Sequence, residues 1–301
     1  MESEFRVSTK EGFRKLIVGS YSDQGWHRKS NEDVCMVIHK DNAYNEHSAP
    51  YAMFGIFDGH GGPGAAKYMD KFLPGIFDDL YIRQKQDVPT ALSTATAYLD
   101  EKFVASGDQS GSTALVIVMT PDGQLTVSNV GDSEGILGYL PIRPNDVAKF
   151  SRPLIRMETL CPLGPHNPRK NPFEALRVTS SGGFLQDGRL LSSLGNGQMM
   201  SLAVSRAIGD AKVKLDQANK GSSALISSPD FYERILTGFE DFIILASDGL
   251  WDVLDYSEVF TLTREFLKHT NNPTEVAQKL TKTAYDRGST DNVSVIVILF
   301  R

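Results

Sequence analysis

Four aspartates in this sequence share one local setting. Asp58 follows the apolar run 51–57, Asp132 follows 125–131, Asp248 follows 242–247, and Asp291 comes just before 293–299. Each sits at one end of a candidate buried strand, Asp291 at the N-terminal end and the others at the C-terminal end. In antiparallel neighbours those ends share one edge of a sheet. Glu32-Asp33 adds a further acidic point ahead of the run 34–38. Carboxylates packed together raise one another's pKa, so such a cluster is costly until a cation neutralises it. An all-oxygen donor set suits the hard ions Mg²⁺ and Mn²⁺, whereas zinc favours His and Cys. The six histidines form no His-x3-His pair, and the two cysteines, Cys35 and Cys161, stand far apart. Zinc and a disulfide framework are both disfavoured.

Asp-Gly is a common turn dipeptide, and the chain has four of them. Asp122-Gly123 and Asp187-Gly188 lie between apolar runs and read as hairpin turns. Context separates the other two. Phe57-Asp58-Gly59-His60-Gly61-Gly62 brings a carboxylate, a flexible backbone and an imidazole together, and Ser247-Asp248-Gly249 leads into a helix instead of a return strand.

The elements that must position these residues are short strands at 52–57, 114–119, 125–130, 135–140, 242–246 and 293–300. Helical spacing runs through 88–105, where Val88, Leu92, Ala95, Leu99 and Phe103 share a face, and through 257–268. Asn272-Pro273 opens and Gly288 closes another helix. Prolines 153, 162, 165, 168 and 172 predict a long irregular loop over 150–173, within a flap-like region at about 150–195. No linker-like shift in composition interrupts 1–301, which reads as one domain.

Composition is that of an ordinary globular chain, 301 residues with 41% hydrophobic and 23% charged. A net charge of -6 without any basic block argues against nucleic acid as partner. No apolar run approaches the length needed to span a bilayer, and residues 1–4 offer neither a signal-peptide core nor a Met-Gly start. A soluble protein of the cytoplasm or nucleus, with reduced thiols, is expected.

Seven ordered motifs carry a resemblance. They are 21–33 (with Gly25-Trp26, Arg28 and Asn31-Glu32-Asp33), 54–62, 110–114, Val130-Gly131-Asp132-Ser133, 205–210, 245–254 and 289–295. Together they resemble the signature set of the metal-dependent protein phosphatases, the type 2C serine/threonine phosphatases, from about residue 17 to the end of the chain. The resemblance implies an α+β fold: a β-sandwich of two antiparallel sheets flanked by helices, with a metal cleft at one edge. It also implies two Mg²⁺ or Mn²⁺ ions, and in some relatives a third. On that pattern Asp58 bridges the two ions, the Gly59 carbonyl ligates one, Asp248 and Asp291 complete the other, and Glu32 and Asp33 hold metal-bound waters. Asp132, with the second oxygen of Asp248, is the candidate site of the third ion. Two cations sharing a carboxylate can activate and orient a water for in-line attack at phosphorus. Arg28 is the candidate phosphate ligand. His60 either protonates the leaving oxygen or orients a water. The implied partners are phosphorylated protein substrates, with no nucleic acid, no membrane and a monomeric enzyme.

A pseudophosphatase using the same fold to bind a partner, or a two-metal nuclease, are the alternatives. Every metal-ligand position is filled, and the acidic chain lacks the basic groove a nuclease needs. No Cys-x5-Arg loop offers a cysteine nucleophile. Ser110 to Ala114 reads as a strand entry, Ser205 to Asp210 as a turn supporting the cleft, and Trp26 and Trp251 as core. Two departures stand out. Glu134 replaces the arginine that usually follows Gly-Asp-Ser, and the Asp-His pair that usually opens the flap gives way to Phe150-Ser151-Arg152-Pro153-Leu154. If Asp132 and Glu134 lie on one strand they face the same side. Glu134 would then favour an extra cation near Asp132 and disfavour strongly acidic phosphopeptides.

Overall fold

Runs of six consecutive apolar residues, at 114–119 and 295–300, need cover on both faces, and stacked sheets with helices outside supply it. The computed structural model describes residues 5–40, 49–140, 157–193, 199–219 and 224–301. One sheet has the strand order β15 (Asp230–Ile235), β8 (Gln124–Val130), β7 (Ala114–Met119), β4 (Tyr51–Phe57), β3 (Val34–Lys40). The other runs β1 (Arg6–Thr9), β2 (Gly12–Asp23), β17 (Val293–Phe300), β16 (Glu240–Ala246), β9 (Glu134–Tyr139), β10 (Met157–Thr159). All pairings in both are antiparallel.

Alternation along each strand builds three apolar layers. Phe54 and Ile56 of β4 meet Ile117, Val127, Ile243, Leu245, Ile296 and Ile298 between the sheets. Their neighbours Met53 and Phe57 point outward to α1 (Gly64–Asp78) and α2 (Val88–Ser106). On the opposite side Phe242, Ile244, Val295 and Val297 pack against α5 (Asp248–Trp251), α6 (Tyr256–Leu267) and α7 (Pro273–Asp286). The expected sandwich with flanking helices is what forms. Among the described residues no helix is long and apolar enough to cross a membrane.

The helix signals act as read. Asp87 caps α2 through the Thr90 amide at 2.8 Å, and Asn272 caps α7 through that of Thr274 at 3.0 Å. One helix escapes the pattern. α1 opens on Gly64 and holds Pro74, yet Ala66, Met69, Leu73 and Phe77 give it a buried stripe, and it continues into a π-helical turn at Asp79–Arg83.

A third layer of structure covers one side of the sandwich's open end. β11 (Phe184–Gln186), β12 (Arg189–Ser193) and β13 (Met199–Leu202) form a small sheet, flanked by α3 (Pro172–Ser180) and α4 (Ala211–Asn219). It has its own core of Val178, Leu190, Leu202, Val204 and Val213. Only 160–171 of the expected long loop is irregular in the described part, because β10 precedes it and Pro172 starts α3 instead of blocking it. Residues 150–156 lie outside the described residues. Both hairpin turns form, with Asp122-Gly123 between β7 and β8 and Asp187-Gly188 between β11 and β12. Trp26 is not core: it is 76% exposed and leans on Tyr285 with ring centroids 5.3 Å apart. It lies between β2 and β3 at the end of the sandwich, beyond the reach of either sheet. Trp251 is buried as expected.

Candidate active site

Strand direction gathers the acids. β4 and β8 are both antiparallel to β7, so Asp58 and Asp132 leave the same end of their sheet. β16 and β17 are antiparallel, so Asp248 and Asp291 meet at one end of theirs. Glu32-Asp33 enters β3 beside the end of β4. The shared edge expected from sequence is thus one end of two stacked sheets. Two glycines permit the close approach. A Cβ at Gly59 would lie 2.3 Å from the Glu32 carbonyl oxygen, and one at Gly249 2.1 Å from that of Asn292. Asp58 and Asp248 are each followed by the glycine that lets a neighbouring acidic segment approach.

The cleft so formed has a volume of about 450 Å³ and is lined by Arg28, Asp58, Gly59, His60, Asp132, Asp248 and Asp291, together with Asn167, Lys170 and Asp252. Burial, then the charges of Asp33, Asp248, Asp132 and Asp291, hold Asp58 well above the carboxylate range. Asp248 is raised in the same way by burial and by Asp132, Asp252 and Asp291. Burial lifts Asp33 to about 6, although Ser294 and Ser247 oppose it. Neither Asp33 oxygen finds a hydrogen bond of ordinary geometry.

These orphaned oxygens and mutually repelling acids are what a hard divalent cation would satisfy. Among the described residues, no three His, Cys, Asp or Glu side chains already stand close enough to hold an ion. Other groups take up the oxygens: Arg28 reaches Asp291, Asn167 donates to Asp132 at 2.9 Å, and Lys170 reaches Asp252. The all-oxygen donor set fits a hard cation, and without one these acids repel one another. The physical sign of that repulsion is a stability that depends on pH. Groups with raised folded pKa values stabilise below their unfolded pKa, and the contribution is lost as pH rises through the folded value. Chelated protein should therefore melt at a higher temperature near about pH 5 than near about pH 8, with Mn²⁺ closing the gap. Equal melting temperatures in chelator at both would show that the acids are not strained.

His60 lies on β5 (Gly59–His60), which pairs with β6 (Gly111–Ser112) and through it with β14 (Ile208–Gly209). That small sheet delivers Asp210, whose side chain is fully buried and whose Oδ2 is 2.8 Å from His60 Nε2. Burial pulls the imidazole pKa down, but Asp210, with Asp132 and Glu32, more than offsets this and leaves it raised. Glu32 accepts from the Gly62 amide at 3.1 Å, and its own amide donates to Asn292 Oδ1 at 3.0 Å.

The family profile described as Protein phosphatase 2C matches residues 18–293. The chain belongs to the protein phosphatase 2C family. A probable protein phosphatase 2C 2 of Oryza sativa subsp. japonica is 32% identical over 265 residues, covering 84% of this chain and 62% of the relative. Probable protein phosphatase 2C 43 of Arabidopsis thaliana is 31% identical over 303 residues, covering 94% and 65%. The chain thus spans just under two thirds of the length of these curated relatives. Among solved structures, a serine-threonine phosphatase 2C from Toxoplasma gondii superposes with a TM-score of 0.73 at 20% identity, all of both chains being covered. A C. elegans sex-determining protein gives 0.72 at 22%, covering 95% of this chain and 65% of that one. Dependence on Mg²⁺ or Mn²⁺ is general in the protein phosphatase 2C family.

Against that family pattern Glu134 behaves differently from expectation. Asp132 lies in the turn between β8 and β9, not on a strand with Glu134, so the two-residue alternation does not apply. Glu134 is 4% exposed, accepts from the Tyr256 hydroxyl, and has its pKa raised first by burial. It is a packed residue under Tyr256 whose charge still feels Lys170, Asp132 and Asp252.

The flap region of this phosphatase 2C chain is tied to the Asp132 turn through His166 and Asn167, which lie outside the seven motifs. The His166 amide donates to the Gly131 carbonyl at 2.9 Å, and the Gly131 amide returns a bond to His166 Nδ1 at 3.0 Å. Nε2 then carries the proton and donates to Asp230 Oδ2 at 3.0 Å. Arg206 bridges Asp230 to Glu174, which also takes Arg177 and Ser205. Despite burial, those partners hold the Glu174 carboxyl down at about 2. The signals were present, as Asp210 and Asp252 stood inside quoted motifs, but their partners lie far away in sequence.

Proposed function

We propose that this chain is one catalytic domain that hydrolyses phosphoserine and phosphothreonine in proteins. The observation that carries the reading is the convergence of Asp58, Asp132, Asp248, Asp291, Arg28 and the His60–Asp210 pair on one cleft. Asp58, the Gly59 carbonyl, Asp248 and Asp291 would hold two Mg²⁺ or Mn²⁺ ions, with Glu32 and Asp33 behind them and Asp132 available to a third. When bound, these ions supply Lewis-acid polarisation of the phosphoryl oxygens and a water at reduced pKa. Arg28 orients the phosphate by its guanidinium fork. His60 gives a proton to the serine or threonine oxygen as its bond to phosphorus breaks. Neither thiol competes as a nucleophile, since Cys161 is buried and burial lifts Cys35 to about 12.

No ligand position is lost, so nothing favours a partner-binding pseudophosphatase. Phosphorylated proteins are the substrates on this reading, and the chain works as a monomer in the cytoplasm or nucleus, where its free cysteines stay reduced. Phosphate release from a phosphothreonine peptide with Mn²⁺, and none with chelator, is the test. Full release in excess chelator would overturn the metal assignment.

Arg28 is released to phosphate only when it leaves Asp291, which a bound cation would satisfy in its place. Arg28→Ala should raise KM and the inhibition constant of free phosphate by on the order of tenfold or more, the scale of a lost charge-assisted hydrogen bond. An unchanged phosphate inhibition constant would make Arg28 a solvated surface charge.

A further inference from the structure

The acids of the cleft belong to the sandwich, and most of its cations belong to the flap. Arg169 and Lys170 come from the loop before α3, and Arg189 begins β12. Lys170 is taken up by Asp252, as Arg28 is by Asp291. Arg169 and Arg189 have no acidic partner among the described residues.

Both are held in place. The Arg169 amide donates to Asn167 Oδ1 at 3.1 Å, and Asn167 Nδ2 donates to Asp132 Oδ2 at 2.9 Å, so a single side chain sets Arg169 in register with the acid centre. From the other side the hairpin turn presses on it. Gly188, at φ +73°, comes so near that a Cβ there would lie 2.6 Å from that of Arg169. Arg189 is pinned across the flap sheet, with Nε 2.6 Å from Ser201 Oγ and Nη2 3.0 Å from the Ser201 carbonyl. Nη1 makes no protein hydrogen bond among the described residues, so that end of the fork remains for a ligand.

We infer that Arg169 and Arg189 form an anion-reading subsite beside the reacting phosphate, which selects phosphosites flanked by further negative groups. Those groups are carboxylate side chains or a second phosphate. The inference rests on the phosphatase reading and names the substrate class of the same cleft. An overall charge of -6 would repel such substrates, and two guanidinium groups without acidic partners among the described residues reverse that locally. The preference the subsite predicts is opposite to the one expected from Glu134, which is 4% exposed.

The test is a set of monophosphothreonine peptides that differ only in flanking Glu, Gln or Lys, a bisphosphorylated peptide followed by mass spectrometry, and p-nitrophenyl phosphate. Wild type should rank Glu over Gln over Lys in kcat/KM. Arg169→Gln and Arg189→Gln should each cost about fivefold on the Glu peptide, the scale of one exposed ion pair, with little change on the Gln peptide or the aryl phosphate. The Glu advantage should shrink as salt rises. Dependence on the arginines shared by the Glu and bisphosphorylated peptides assigns the subsite to carboxylates as well as phosphate. Dependence confined to the bisphosphorylated peptide assigns it to a second phosphate. No Glu preference in wild type combined with an unaltered bisphosphorylated substrate in the double variant overturns the subsite, as does an equal loss on every substrate including the aryl phosphate. Failure of wild type to hydrolyse p-nitrophenyl phosphate with Mn²⁺ strikes at the phosphatase reading instead.

Discussion

Asp58→Asn should abolish nearly all metal-dependent phosphatase activity, with kcat falling on the order of 10³-fold, because on the proposed reading it removes the carboxylate that would serve both cations. The same change should make the metal-free protein more stable. Burial, then the neighbours Asp33, Asp248, Asp132 and Asp291, raise the Asp58 pKa well above the usual carboxylate range and so disfavour its charged form. Asparagine keeps the shape and removes the repulsion, so its melting temperature in chelator should exceed that of wild type. The rise in melting temperature on adding Mn²⁺ should shrink or vanish. Stability and activity moving in opposite directions is the mark of a strained site and not of a damaged fold. A variant that keeps more than about a tenth of wild-type kcat, a gap of roughly 1.4 kcal/mol, would show that Asp58 is not the shared ligand. A chelated variant less stable than wild type would show that the acids are not in conflict.

The strands that carry the acids were legible because they are buried on both faces. Residues 51–57 are apolar without a break, and every one of them is buried. The aspartate at the end of such a run is conspicuous, since the pattern stops on a charge. β2 was not legible, although it is 12 residues long, because most of it is half-buried and its sequence mixes Lys, Gly, Ser and Tyr with the apolar positions. α1 was hidden by the glycines before it and by Pro74 within it, while the packing of Met69, Leu73 and Phe77 on the sheet outweighs both. Site residues that act through a distant partner left no local trace. Asp210 meets His60 across 150 positions, and Asn167 meets Asp132 across 35. Arg169 and Arg189 look like ordinary surface charges until the fold places them at the cleft. Glu134 follows the turn that holds Asp132, so the alternation of a strand does not relate the two.

His60→Ala should lower kcat on phosphothreonine peptides by about 10²-fold, the usual scale of a lost general acid, and lower it much less on an aryl phosphate. The difference follows from the leaving group. A threonine alkoxide is a strong base and needs a proton as the bond to phosphorus breaks, whereas a nitrophenolate leaves unaided. For His60 to serve, it must be protonated near neutral pH, and cations bound in the cleft push the other way. Against the pull of burial, Asp210 favours that protonated form, 2.8 Å from Nε2 and wholly shielded from solvent. With Nε2–H committed to Asp210, the proton available for transfer is on Nδ1. Asp210→Asn removes the negative partner, so His60 should give up its proton at lower pH, and the alkaline fall in activity on phosphothreonine should move to lower pH. Activity on the aryl phosphate should keep its profile. Gly111→Ala offers an independent route to the same pair, since a Cβ there would lie 2.2 Å from Asp210 Oδ2 and 2.3 Å from His60 Nε2. It should mimic Asp210→Asn if the contact itself matters. Equal losses on both substrates in His60→Ala, with no shift of the alkaline limb in Asp210→Asn, would assign His60 to orienting water and leave the leaving oxygen to be protonated by solvent.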